Sequence, residues 1–106
     1  MDNIEKMVKL TILYDIYKSL LTDKQKSYFE AYYFKNQSLG EIAEKYEVSR
    51  NAVYSQLNDI EENLLDYEAK LHLKRKRDKK NQLVDELKQK EPSDEMLEII
   101  KKLEEI

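Results

Sequence analysis

One glycine, Gly40, and one proline, Pro92, are the only residues of their kind in a chain of 106. Tight β-hairpins draw on Asn-Gly, Asp-Gly and Gly-Gly turns, so a chain this poor in glycine has few ways to build a sheet. Lys and Glu dominate a charged fraction of 39%, and both are good helix formers. The expected fold class is therefore all-α. The length allows one compact domain with a modest core, and 41% hydrophobic residues can fill it.

The same inventory excludes several functions. There is no cysteine, which removes disulfides and thiolate metal sites. The single histidine, His72, has no second histidine or cysteine to share a metal with. No glycine-rich loop cradles a nucleotide phosphate. Ser38 and Ser49 read as helix N-caps rather than nucleophiles, and the pairs Glu61-Glu62 and Glu104-Glu105 read as solvated charge. The chain is expected to be no enzyme and to need no cofactor. Asp2 and Glu5 stand where a signal peptide has basic residues, and no apolar run approaches the ~20 residues of a membrane helix. A cytoplasmic location without membrane contact is expected.

Periodicity places the helices. The first should run from about Asn3 to Leu20, with apolar residues spread almost right round it. Such a helix needs cover on more than one side, and a symmetric homodimer burying Met7, Leu10 and Tyr14 is one way to supply it. Thr22-Asp23-Lys24-Gln25 is a capping box that opens the second helix, which carries Tyr28, Phe29, Tyr32, Tyr33 and Phe34. These rings read as core packing rather than as a base-stacking platform. Ser38-Leu39-Gly40-Glu41 is a second capping box and opens a third helix. Ser49 caps a fourth.

That fourth helix carries Val53, Leu57, Ile60, Leu64, Tyr67 and Leu71 on one narrow face. It is expected to extend to about Leu73, with its far half seeking a partner surface. A basic run comes next, with Lys70, Lys74, Arg75, Lys76, Arg77, Lys79 and Lys80 against one acid, Asp78. It reads either as a solvated linker or helix face, or as a patch for RNA phosphates or an acidic partner. A short helix around Leu83, Val84 and Leu87 is expected after it. Beyond Pro92, Ser93 caps a last helix with Met96, Ile99, Ile100 and Leu103. The organisation expected is a domain over residues 1–73 and a basic helical tail over 74–106.

Two short helices joined by a tight turn, the second opened by Ser-Arg, match a helix-turn-helix. The first turn of the second helix then meets the groove, which makes Arg50, Asn51, Tyr54, Ser55 and Gln56 its candidate readers. Leu21-Thr22, Gln25, Tyr28-Phe29, Tyr33-Phe34, Ser38-Leu39, Glu41-Ile42-Ala43 and Val48-Ser49-Arg50 resemble region 4 of bacterial sigma factors. Ser38 to Glu44, Val48-Ser49-Arg50, Ala52-Val53-Tyr54, Tyr67-Glu68 and Lys70-Leu71-His72-Leu73 resemble the YlxM (p13-like) family more closely. The resemblance covers about Met1 to Leu73. It implies a regulatory role beside the signal recognition particle, in contact with the Ffh GTPase, the particle's RNA, or both. The sigma-like part implies an alternative, a DNA-binding transcription regulator.

Charge placement bears on that alternative. No Lys or Arg occurs from Asn51 to Ala69, and the span holds Asp59, Glu61, Glu62, Asp66 and Glu68. Phosphate anchoring needs cations, so DNA is the less favoured partner and the basic run the better electrostatic candidate.

Overall fold

The computed structural model describes residues 4–106. Among them are six α-helices and no strand: α1 (Ile4–Tyr17), α2 (Asp23–Tyr33), α3 (Leu39–Tyr46), α4 (Arg50–Leu71), α5 (Leu73–Lys88) and α6 (Asp94–Glu104). The chain forms two compact units, one reaching Leu71 and the other spanning His72–Ile106.

Local signals start the helices of the first unit. Thr22 Oγ1 accepts from Gln25 N at 3.1 Å while Gln25 Oε1 accepts from Thr22 N at 2.9 Å. Ser38 and Glu41 repeat the exchange at 3.1 Å in both directions. Ser49 Oγ accepts from Ala52 N at 3.0 Å and opens α4. Each bond satisfies an amide that the helix itself leaves unpaired.

The α3 to α4 turn is made without glycine. Glu47 takes a left-handed φ of 56°, and the amides of Glu47 and Val48 return to the carbonyls of Glu44 and Ala43. This two-bond arrangement ends helices and usually employs glycine. Glu47 also sets a negative side chain at the negative end of the α3 dipole. Glu47→Gly is therefore expected to raise stability by about 0.5–1 kcal/mol, the relief of a non-glycine left-handed residue less the entropy glycine loses. A higher thermal midpoint checks this, and a lower one would mean the Glu47 side chain contributes a contact of its own.

The core of this unit is one apolar cluster. Leu10, Leu13, Tyr14 and Tyr17 enter from α1, Tyr28 and Phe29 from α2, Ile42 from α3, and Val53, Leu57, Ile60 and Leu64 from α4. Of the aromatic residues expected in the core, Tyr28 and Phe29 are buried, with Phe29 stacked on Tyr14 at 4.3 Å between ring centroids; Tyr32 and Tyr33 are partly buried, and Phe34, at the end of α2, is more than half exposed.

Helix α1 departs from expectation in two ways. It stops at Tyr17, and a single 3-10 turn, Lys18–Leu20, leads to buried Leu21 and the Thr22 cap. Its expected start at Asn3 lies outside the described residues. It is also less encircled than its composition suggests. Leu10 (1% exposed) and Tyr14 (4%) lie in the chain's own core and are closed to a second subunit, whereas Ile4, Met7 and Val8 are exposed. Of the three expected interface residues only Met7 remains available.

Helix α4 ends at Leu71, two residues earlier than expected, because His72 takes a left-handed φ of 54°. Its far half finds cover within the same unit, where Tyr67 packs on Tyr17 at 5.8 Å between centroids. Leu71, the last residue of the expected stripe, is exposed. In the second unit the basic run is no linker. Helix α5 starts at Leu73 rather than near Leu83, so most of the run is helical. Helix α6 pairs with it as a hairpin, capped by Ser93 Oγ accepting from Met96 N at 3.3 Å and tied by Lys88 to Glu104 at 2.8 Å. Val84 and Ile100 are the hairpin's buried apolar side chains.

Candidate nucleic-acid interfaces and a cleft

Helix α3, the three-residue turn and the first turns of α4 form the helix-turn-helix. Arg50, Asn51, Tyr54 and Ser55 are all exposed, Tyr54 by 58%. The Arg50 stem lies back over α3, for a Cβ placed on Gly40 would stand 3.8 Å from Arg50 Nε. The structure does not bring Gln56 to the same face. It is half-buried and, at about 100° per residue, stands some 200° round the helix from Tyr54.

The acidic character of α4 is redistributed by the fold. Glu61 is buried and accepts from the Tyr33 hydroxyl. Lys6 Nζ lies 3.5 Å from its other oxygen. Glu68 accepts from Tyr17 Oη at 2.7 Å. Asp66 is paired with Lys70 at 3.0 Å. Of the five acids between Asn51 and Ala69, one is buried, a second is half-buried against Tyr17, and a third has a cation beside it. The first turns of α4, from Arg50 to Asn58, carry no acid at all.

A third tyrosine-carboxylate pair, Tyr14 to Glu30, completes a set that ties α1, α2 and α4 together. Burial, then the hydrogen bond and charge of Glu30, push the Tyr14 phenol above its ordinary range. It remains a donor at neutral pH. The partners stand 16, 51 and 28 residues apart, and nothing local in the sequence announces them.

The basic run is divided by His72. Lys70 closes α4 in the first unit, and the remaining cations lie on α5 in the second. On α5 they sort by helical spacing. Asp78 is taken by Lys74 at 2.6 Å, with Arg77 at 3.7 Å, and those two cations hold its carboxyl below the usual range. Another set lines one hollow of about 600 Å³: Arg75, Lys76, Lys79 and Lys80, with His72 and Leu83 at its ends. Asp78 is not part of that lining, and Lys80 Nζ donates to the Ile106 carbonyl oxygen at 2.8 Å. From His72 to Leu83 the face runs about 16 Å at 1.5 Å per residue. No lining side chain is acidic, so the hollow concentrates positive potential.

No group of three or more potential metal ligands occurs among the described residues, and no helix among them is long and apolar enough to cross a membrane. A second hollow, of about 340 Å³, lies in the first unit between Lys6 on α1, Tyr32 on α2, Leu39 on α3 and the α4 residues Tyr54, Leu57, Asn58 and Glu61. Of these, the sequence offered only Tyr54 as a candidate binding residue.

Comparison with known proteins gives a consistent outcome. A family model described as "Putative helix-turn-helix protein, YlxM / p13 like" matches residues 4–106. The chain is similar to a UPF0122 protein of Geobacillus sp. (strain WCH70), 47% identical over 108 residues that span 97% of this chain and 98% of the relative. A UPF0122 protein of Lactococcus lactis subsp. cremoris (strain MG1363) is 48% identical over 103 residues, 97% of this chain and 91% of its own length. UPF0122 protein YlxM of Bacillus subtilis (strain 168) is 47% identical over 87 residues, 82% and 79% of the two chains.

Proposed function

The chain belongs to the UPF0122 family of YlxM / p13-like helix-turn-helix proteins, and from that premise we propose that it is a non-catalytic binding protein that grips RNA phosphates on the basic face of α5. The partner we assign is the signal recognition particle, its RNA and its Ffh GTPase, which the family resemblance implies. One observation carries the reading. Arg75, Lys76, Lys79 and Lys80 line a single hollow, while the run's only acid is held elsewhere by Lys74 and Arg77. Cations at i, i+1, i+4 and i+5 repeat along one side of a helix and suit a backbone whose charges recur regularly.

The test is a titration of labelled particle RNA with the full chain, with and without Ffh, at two salt concentrations, beside a random DNA duplex. Preferential, salt-sensitive binding to the RNA or to its Ffh complex supports the reading. Equal binding to all three overturns it.

A specific observation also favours the second reading, sequence-reading of DNA by α4. Arg50, Asn51 and Tyr54 stand on turns free of acid, and Glu61 further along α4 is buried. A tight complex with one DNA sequence, lost on Arg50→Ala, is its signature.

The reading includes a homodimer, with its surface moved from the core residues Leu10 and Tyr14 to the exposed Ile4, Met7 and Val8 of α1. Light scattering at micromolar concentration is expected to give twice the chain mass of 12.8 kDa, and to fall toward the single mass for Val8→Glu. A single mass for the parent chain would remove the dimer from the reading.

A further inference from the structure

The hollow in the first unit is lined by residues that, Tyr54 apart, neither the RNA nor the DNA reading uses. Its most buried polar group is Glu61, 9% exposed. A carboxylate taken that far from water needs partners. One oxygen has the Tyr33 hydroxyl. The other faces Lys6 Nζ at 3.5 Å, longer than the roughly 2.7–2.9 Å of a charge-assisted hydrogen bond. Lys6 is also half in solvent, its side chain 47% exposed. The same hollow is lined by two tyrosines, Tyr32 and Tyr54, and two leucines, Leu39 and Leu57.

That lining discriminates among classes of occupant. An anion would approach a buried carboxylate. A neutral apolar molecule would fill the space and leave the long Lys6 contact as it is. A cation with an apolar stem can pair with the carboxylate more closely than Lys6 does at 3.5 Å, and its stem can lie against the tyrosines and leucines that line the hollow. About 340 Å³ accommodates a group of that size. We propose that this cleft binds an organic cation, an alkylammonium or guanidinium group, which docks on Glu61 in place of Lys6 between Tyr32 and Tyr54.

The occupant touches α2, α3 and α4 together, and two of its neighbours, Tyr54 and Asn58, stand on the candidate reading helix. Its binding therefore favours one arrangement of the helix-turn-helix by mass action. The chemistry is shared by a free small cation and by a Lys or Arg side chain of another polypeptide, and the experiment separates these.

Calorimetric titrations of the full chain with butylguanidinium, butylammonium, butyrate and a short arginine-containing peptide test the site. Saturable binding of the cations and none of butyrate is expected. Lys6→Ala removes the competing ammonium and is expected to tighten binding by about threefold or more. Tyr54→Ala, at an exposed ring, is expected to weaken it by about threefold, and Glu61→Gln by about tenfold (the last with its helical signal checked). Equal binding of the free cations and the peptide makes the ligand a small molecule. Binding of the peptide alone makes it a polypeptide side chain. Butyrate binding as tightly as the cations, no saturation by any probe, or Lys6→Ala leaving affinity unchanged would each overturn the proposal.

Discussion

Phe29→Ala is expected to destabilise the first unit by about 3–5 kcal/mol, the cost of emptying a closed aromatic site. Phe29 is wholly buried. Its ring stacks on Tyr14 at 4.3 Å and 7° and on Tyr33 at 4.4 Å and 25°, and meets Phe34 edge-on at 5.9 Å. Alanine removes all three ring contacts, and its neighbours cannot close the gap. Tyr14 and Tyr33 are each hydrogen-bonded to a carboxylate on another helix, which fixes their rings. Domains of this size are stable by about 5–15 kcal/mol, so the loss is a large share of the total. Urea unfolding followed by circular dichroism should show the midpoint fall by more than about 1 M, given slopes of about 1–3 kcal/mol/M. Phe34→Ala is the matched control. That ring is more than half exposed, and its loss is expected to cost under about 1 kcal/mol. Equal costs for the two would mean that the rings are not divided into core and rim as the structure has them.

Serine at Arg75, Lys76, Lys79 and Lys80 together is expected to weaken RNA binding about 100-fold at low salt. Each cation that neutralises a phosphate adds roughly 0.7–0.9 to the slope of log affinity on log salt. Four of them amount to a slope of about 3, or close to two decades between 50 and 200 mM salt. The variant should thus lose both its affinity and most of its salt dependence. Lys74→Ser with Arg77→Ser removes two cations that lie outside the hollow beside Asp78, and is expected to change affinity by less than about threefold. Those two substitutions alter the net charge by half as much as the four. A loss in proportion to charge alone would mean that the run acts diffusely and that the hollow has no special part.

The contrast between these two sets of cations shows what was legible in the residues. The basic run was plain in the sequence, and so was its excess of charge. Its division was not. The break at His72 separates Lys70 from the rest, and it rests on a left-handed residue that is neither glycine nor asparagine. Glu47 makes the turn of the helix-turn-helix in the same way. Such positions carry no composition signal. At Glu47 the backbone is held by the bonds that its own amide and that of Val48 make to carbonyls already fixed in α3.

The acidic helix is a second case. Counting Asp59, Glu61, Glu62, Asp66 and Glu68 gave a surface hostile to phosphate. The fold buries Glu61 beside Tyr33 and Lys6 and half-buries Glu68 against Tyr17. Eight tyrosines in the chain are a hint of buried hydroxyls. Which carboxylate each would meet depends on how helices distant in sequence come together.

What the sequence determined by itself is everything decided within about one helical turn. Thr22, Ser38, Ser49 and Ser93 fix where helices begin, because a side-chain oxygen and an amide three residues on need no other part of the chain. The stripe from Val53 to Leu64 fixes the face α4 buries, because helical period alone lines those residues up. Tertiary structure decided which surfaces were used up. Leu10 and Tyr14 were equally suited to a partner or to the chain's own core, and the aromatic residues of α2 claimed Tyr14. Glu61 became the floor of a cleft rather than a surface charge only when Lys6, Tyr32 and Tyr33 were brought beside it. Burial and long-range pairing depend on what else occupies the space, and that is settled only when the helices pack.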